Sequence, residues 1–441
     1  MTETAAPSGT DSLWALVTGA RPVERHALLI ASTYFFCVLG SYYLLRPVRD
    51  QFSAAVGSTN LWQFWLGTFI ATLALAPVFG ALVSRFRREV FVPAVYLFFV
   101  VCLLAFVPAF AAQDAIGAHL LGIVFYIWLS VFNLFVVSVF WSFMADIFDS
   151  GQARRMFPVI AVGGTLGAIA GPIVAGLLPI RMLLFAASTL LALATICARS
   201  LSRWSHRHPN LERHGELARG EVIGGGIWAG LQQMFRSPFL RKMAALLLLG
   251  DAIGTVAYVL AADYVGAHYA GAEARKTFYA HIDLLTNLLQ LGLQLSLARM
   301  LMSRFGAGVT LVVGAIISII VLILTAIAGQ PAVIAMLVIT RGSAYGIGKP
   351  ASDSLYARVE REALYKGKNV IDTAVWRFGD VVISLSMKAL LPLGVGVSGF
   401  ALLSTIAATL SGWFGWRAAK APELMFGDDD NEPAISSRPA P

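Results

Sequence analysis

The sequence predicts an all-α polytopic membrane protein, with twelve transmembrane helices in two six-helix halves. Three observations carry this expectation. Hydrophobic residues make up 58% of the chain and charged residues only 13%, with a mean hydropathy of +0.73, far outside the soluble range. Apolar stretches of about 20 residues, each long enough to cross ~30 Å of hydrocarbon, recur along most of the chain. The longest polar stretch, "SRWSHRHPNLERHGELARGEVIGGG", falls between the sixth and seventh of them.

In order, the spans are predicted at 27–55, 60–83, 90–111, 117–144, 156–178, 181–200, 239–263, 277–300, 307–329, 332–350, 369–393 and 397–417. The chain then divides into a cytoplasmic N-terminal segment (1–26), a first half (27–200), a central loop (201–238), a second half (239–418) and a disordered acidic tail (419–441). In the central loop Ile227, Trp228, Leu231, Met234 and Phe235 share one helical face, which predicts an amphipathic linker helix on the inner membrane surface. Residues 1–20 hold no Lys or Arg, and no small-residue cleavage pattern follows the first span. That span is therefore expected to be its own insertion signal. Cys37, Cys102 and Cys197 all lie in apolar segments and read as small buried hydrophobes.

Loop charge sets the orientation. With both termini cytoplasmic, most of the 33 Lys and Arg fall in cytoplasmic segments and five in external ones, as expected in a bacterial-type inner membrane. The same asymmetry accounts for the net charge of +8 without a nucleic-acid partner.

Charge inside a span is costly, about 2.5–3.5 kcal/mol at the bilayer centre on insertion scales, so such residues are expected to face the bundle interior. In "YYLLRPVRDQF" (42–52) no strong turn signal appears before "GSTN" at 57–60, which predicts one helix from Ala27 to Val56. Tyr42, Arg46, Arg49 and Asp50 then share a face, Arg46 and Asp50 are four apart, and Pro47 frees the carbonyl of Tyr43. Arg341 lies about 15 Å into span ten, near the midplane, and is followed by the Gly-rich run "GSAYGIGKP" with Tyr345 and Lys349, a run expected to loosen or break the helix. Span eleven carries Thr373, Arg377, Asp380, Ser384 and Lys388 on one face beside Trp376. Arg377 and Asp380 are spaced to pair within the helix, and Lys388 is placed to snorkel. Span eight carries Asp283, Asn287, Gln290 and Gln294 on one face, and span seven contributes Asp251. Such stripes act as interhelical glue or, for a lone carboxyl, as a proton carrier. In span five Gly163, Gly167 and Gly171, followed by Pro172 and Gly176, predict close helix contact and also approach a glycine–proline pattern of antiporters.

No catalytic constellation is present. His206, His208 and His214 lack metal-ligand spacing and read as solvated basic residues, so neither an enzyme nor a cofactor is expected. "SRF" occurs at 84–86 and again at 303–305, at equivalent turns about half a chain apart. Twelve spans, a long central loop and the basic turn "GALVSRFRRE" resemble the major facilitator superfamily, although the usual aspartate of that turn is missing. The resemblance implies a substrate site near the midplane between parallel repeats and access that alternates. It makes the basic residues of the cytoplasmic turns candidate gating contacts: Arg85, Arg87, Arg88, Arg154, Arg155, Arg304, Lys366 and Lys368.

Three segments are more specifically similar to the nucleotide translocase family, the ATP/ADP exchangers of plastids and intracellular bacteria. They are "YYLLRPVRD", "FWSFMADIFDSGQARRMFPVIAVGGTLG" (140–167) and "KPASDSLYARVEREALYKGKNVIDTAVWRFGD" (349–380). The resemblance implies exchange of nucleotides or related phosphorylated anions through a basic cavity, by a monomer needing only the bilayer. Arg49 stands where the family commonly has a lysine important for transport, and Lys368 and Arg377 match directly. The chain departs from the pattern at the family's span-four glutamate, where Leu129, Ser130 and Asn133 stand. It departs again at the span-seven glutamate, near Tyr258, and at Asp380, which replaces a usual lysine. This is the pattern of a divergent relative.

The candidate solute contacts are therefore Tyr42, Arg46, Arg49, Arg341, Tyr345, Lys349, Trp376 and Arg377. Guanidinium forks suit phosphate oxygens, and the aromatic rings suit a base. Asp50, Asp251, Asp283 and Asp380 are candidates for ion pairing or proton coupling, and Asn133, Asn287, Gln290 and Gln294 for the polar cavity wall. Two other functions stay open on the sequence: a proton-coupled transporter of a different solute, and a non-transporting membrane receptor or scaffold.

Overall fold

The computed structural model describes residues 21–85, 88–148, 150–207, 234–356 and 375–424, with 232, 368 and 371. The described chain is helical throughout. The first six long helices are α1 (Arg25–Val56), α2 (Leu61–Arg85), α3 (Arg88–Ala111), α4 (Ala118–Ile147), α5 (Ser150–Leu177) and α6 (Ile180–Arg207). They are followed by α7 (Pro238–His268) and α8 (Ala272–Leu293). After a π turn over Gln294–Ala298 the chain runs through Arg299–Ala328, broken at Gly306 (φ 77°). Residues 307–328, beyond that break, are α9. The tenth helix, α10, is Val333–Ser343, a π turn at Ala344–Gly348 and Lys349–Tyr356; α11 is Trp376–Leu390 and α12 is Val397–Ala418. Nine described segments are long and apolar enough to cross a membrane, one of them the 57-residue Ala272–Ala328 that holds both α8 and α9.

The predicted spans match these helices with three instructive differences. Span five begins earlier, at Ser150, because the charged "SGQARRM" is itself helical. Span six does not stop at 200. It continues to Arg207 because Leu201, Trp204 and Ser205 stay buried on one face after the apolar run ends. In α10 the Gly-rich run neither unwinds nor breaks the helix but widens it by one residue. The ring of Pro350 conflicts with the carbonyl of Gly346 in a regular helix, and a π turn just before it relieves the conflict. The tail is not disordered from 419: Pro422–Leu424 forms a 3-10 turn because Ala421 and Leu424 are buried in the apolar cluster of the second unit, which Met234 of the linker also joins while Phe235 is exposed. The tail beyond 424, Ile227, Trp228 and Leu231 of the linker, His208, His214, Thr373, Arg87 and Lys366 lie outside the described residues, as do the side chains of Arg88 and Arg154.

The chain forms two compact units, Met1–Val222 with Ala261–Leu288, and Ile223–Leu260 with Leu289–Pro441. In the first, α1 packs on α4, α5 and α6, while α3 packs on α6. The α1–α5 contact is built by the glycines. A Cβ on Gly163 falls on the Ser32 carbonyl, one on Gly167 on the Phe36 carbonyl, and one on Gly171 2.7 Å from Tyr43 Cβ. Packing is thus the role the glycine stripe fills. Tyr34, fully buried, donates to Tyr96 at 2.7 Å, and Tyr96 donates to the Val136 carbonyl at 3.1 Å, tying α1, α3 and α4 together. In the second unit α9 packs on α12 and α10. Gly342 and Gly346 of α10 meet Leu289 and Gln290, where added Cβ atoms would lie 2.8 Å from their neighbours.

Candidate functional site

In the first unit the "YYLLRPVRDQF" stretch is helical and lies inside α1. Arg46, Asp50 and Asp283 are 5%, 1% and 1% exposed, so their charges answer to one another rather than to water. Arg49 donates to Asp50 Oδ1 from Nε at 2.8 Å and lies 2.7 Å from it through Nη2. Arg46 Nε is 3.7 Å from Asp50 Oδ2, and its Nη1 reaches Asp283 Oδ1 at 3.3 Å. Arg49 also stands over the Tyr126 ring at 4.9 Å, and Arg46 over Tyr43 at 5.6 Å. Two guanidinium groups thus meet two carboxylates, and the formal sum is zero. Tyr42 packs edge-on against Tyr43, and Asn287 donates to the Ala168 carbonyl at 2.6 Å as interhelical glue. Asn133 is half-buried on α4.

In the second unit five predicted residues converge. Asp251 of α7, Arg341, Tyr345 and Lys349 of α10, and Trp376 of α11 line one cavity of about 180 Å³, closed by Gly314 and Ser318 of α9 and Ser411 of α12. The π turn of α10 forms part of its wall through Ala344, Tyr345 and Gly348. Irregular backbone at a cavity inside a membrane protein is tolerated because it faces protein or water rather than lipid. Gln290 and Gln294 are not among its lining residues; Gln290 is half-buried and Gln294 exposed at the α8 π turn.

Behind Asp251 stands Asp380. Asp380 accepts from Thr255 Oγ1 at 2.8 Å and from Arg377 Nη1 at 3.5 Å, so the in-helix pair expected for span eleven forms. A Cβ on Gly379 would lie 3.5 Å from Asp251 Oδ2, and Thr255, one turn after Asp251 on α7, donates to Asp380, so the two carboxyl groups lie close together. Lys349 and Lys368 converge on Asp353, at 3.3 and 2.9 Å, and Lys368 also covers the Tyr356 ring. Lys388 is exposed, as a snorkelling residue would be.

Several partners went unread in the sequence. Glu24, 2% exposed, receives Gln152 at 2.9 Å and Arg155 at 3.4 Å, which gives the predicted turn residue Arg155 its counterion. Its other oxygen accepts from the Arg21 amide at 2.9 Å, but with arginine at the cap the sequence lacks a capping box and carries no signal. Thr255 sits one turn beyond Asp251 on α7, a spacing that marked it. Asp263 accepting from the Ser58 amide at 2.7 Å, and buried Lys276 donating to the Leu178 carbonyl at 2.6 Å, left no local signal.

No family model matches the chain, and no curated protein matches it. Solved structures do. The chain aligns with the crystal structure of nucleoside transporter NupG at a TM-score of 0.59 and 12% identity, over 91% of this chain and 99% of that one. A bacterial homologue of the iron transporter ferroportin, inward-facing, aligns at 0.61 and 15%, over 90% and 98%. A bacterial homologue of the human lysosomal transporter Spinster, inward-facing and unoccupied, aligns at 0.56 and 12%, over 93% and 99%. Identities this low speak to architecture, and the architecture is the twelve-helix fold of the major-facilitator type.

Proposed function

We propose that this protein is a secondary-active transporter working by alternating access, with both termini cytoplasmic, and that it exchanges a phosphorylated organic anion, nucleotides being the first class to test. The observation that carries the reading is the cavity of the second unit, where Arg341, Tyr345, Lys349 and Trp376 line one space of about 180 Å³. A guanidinium fork binds phosphate oxygens in two places at once, and its field is strong where water is scarce. Tyr345 and Trp376 offer ring faces for a base. Arg341 is the guanidinium that lines this cavity, whereas Arg46 and Arg49 pair with Asp50 and Asp283 in the first unit.

Proteoliposome exchange tests this. Labelled ATP, ADP or inorganic phosphate is expected to enter faster when a counter-substrate is inside. Arg341→Ala should lower uptake about 10–100-fold, the worth of a hydrogen bond to a charged group, and Arg341→Lys should restore only part. No uptake of any of the three, with or without counter-substrate, would overturn the reading.

A second reading, coupling to protons, is favoured by the placement of two carboxyl groups side by side within the membrane, Asp251 lining the cavity and buried Asp380 next to it. Arg377 faces that pair from α11, Thr255 from α7 and Trp376 across it, while Arg341 and Lys349 face Asp251 through the cavity. Under an imposed pH gradient, Asp251→Asn is expected to abolish gradient-driven uptake while exchange at equal pH survives. Gradient-driven uptake unchanged in Asp251→Asn would remove this reading and leave the first standing.

A further inference from the structure

The extension of α6 beyond its apolar run creates a second cavity, which the transport reading does not use. Over the last turns of the helix Arg199, Ser202, Arg203 and His206 fall on one face and line a space of about 220 Å³. Its inner wall is apolar: Val92 and Pro93 of α3 and Phe143 of α4, all three buried. Arg199, Arg203 and His206 are exposed at its rim. Two arginines four residues apart on one helix repel each other, and an anion between them removes that cost.

What lies beside the cavity identifies the anion. Helices α3 and α6 pack together, and above the basic rim they present an apolar surface. Phe98 and Val101 of α3 are 61% and 65% exposed, and Leu193 and Ile196 of α6 are 44% and 57% exposed. A side chain that leaves such a surface uncovered in a membrane protein faces acyl chains. The site therefore has a charged end, a greasy floor and a lipid-facing wall in continuous order. Basic pockets between helices at the cytoplasmic side hold anionic headgroups. A free phosphate ion would use the rim and leave the apolar parts idle.

We infer that this pocket binds an anionic phospholipid, its phosphodiester between Arg199 and Arg203 and its acyl chains along the exposed faces of α3 and α6. The lipid would clamp the cytoplasmic ends of α3, α4 and α6, independently of what the protein carries.

The test uses the purified full-length protein in neutral detergent. Lipid retention is read by native mass spectrometry and the thermal midpoint is recorded, with added phosphatidylglycerol, phosphatidylcholine or sodium phosphate. Wild-type protein is expected to retain phosphatidylglycerol over phosphatidylcholine and to gain thermal stability from it alone. Arg199→Gln/Arg203→Gln should weaken that binding by about fivefold for each arginine removed, while leaving the lipid-free midpoint unchanged. Arg199→Lys/Arg203→Lys should retain most of it, and Arg299→Gln, an exposed arginine on another helix, all of it. Equal retention of both lipids, an equal loss in Arg299→Gln, or the same stabilisation from sodium phosphate would each overturn the inference.

Discussion

Asp50→Asn is expected to cost the fold about 3–5 kcal/mol, the usual penalty for removing one partner of a buried charge pair. The reason is charge balance rather than lost contacts. Arg46, Arg49, Asp50 and Asp283 sum to zero, and Asp50 touches both arginines, at 2.7 Å for Arg49 and 3.7 Å for Arg46. With asparagine in its place the shape is kept, but a buried positive charge is left over. Arg49→Gln added to Asp50→Asn restores neutrality. The double variant should then recover at least about half of the loss, since a buried pair replaced as a whole is often near neutral. Thermal unfolding of the detergent-purified single and double variants, with Arg49→Gln completing the cycle, measures this. A single variant as stable as the wild type, or a double variant no better than the single, would show that the four groups do not act as one unit. A balanced cluster does not attract an anion by net charge, which is why the proposed phosphate contact is Arg341 rather than Arg46 or Arg49.

Reading depth in the sequence follows the range of each interaction. The spans were visible because bilayer thickness imposes a length and an apolar composition on every one of them. The Arg46–Asp50 and Arg377–Asp380 pairs were visible because helical spacing alone brings them together. Asp283 as the second partner of Arg46 was not, because that contact joins α1 to α8 and only the packed structure sets it. The carboxyl pair shows the same limit: Asp251 and Asp380 each stood out in a span, but nothing local made them neighbours. The gathering of Arg341, Tyr345 and Lys349 was half legible. Their spacing follows a helix, yet the π turn that shapes the wall between them is a backbone response to Pro350 that no hydropathy pattern records.

The glycines of α5 give the other large effect, and they separate two readings of one motif. Gly167→Ala is expected to destabilise the protein by about 1–3 kcal/mol, and Gly167→Leu by more, enough to lose the folded protein on purification. The Cβ added by alanine already falls on the Phe36 carbonyl and 2.9 Å from the Gly40 nitrogen, and backbone atoms of α1 cannot rotate away. Gly163 faces the Ser32 carbonyl in the same way and should behave alike. Gly176, nine residues beyond Gly167 and four beyond Pro172, is the control: its Cβ would meet only His281 Nε2 at 4.0 Å. Gly176→Ala should therefore change stability little. Were the stripe kept for a transport hinge near the proline, the order would reverse: Gly176→Ala would lose exchange activity, and Gly167→Ala would fold and transport normally. Yield, thermal midpoint and exchange rate measured on the three alanine variants distinguish the cases. The expected ranking, with Gly163 and Gly167 intolerant and Gly176 tolerant, follows from helix separation alone. Helix α5 lies so close to α1 that a single carbon between them has nowhere to go.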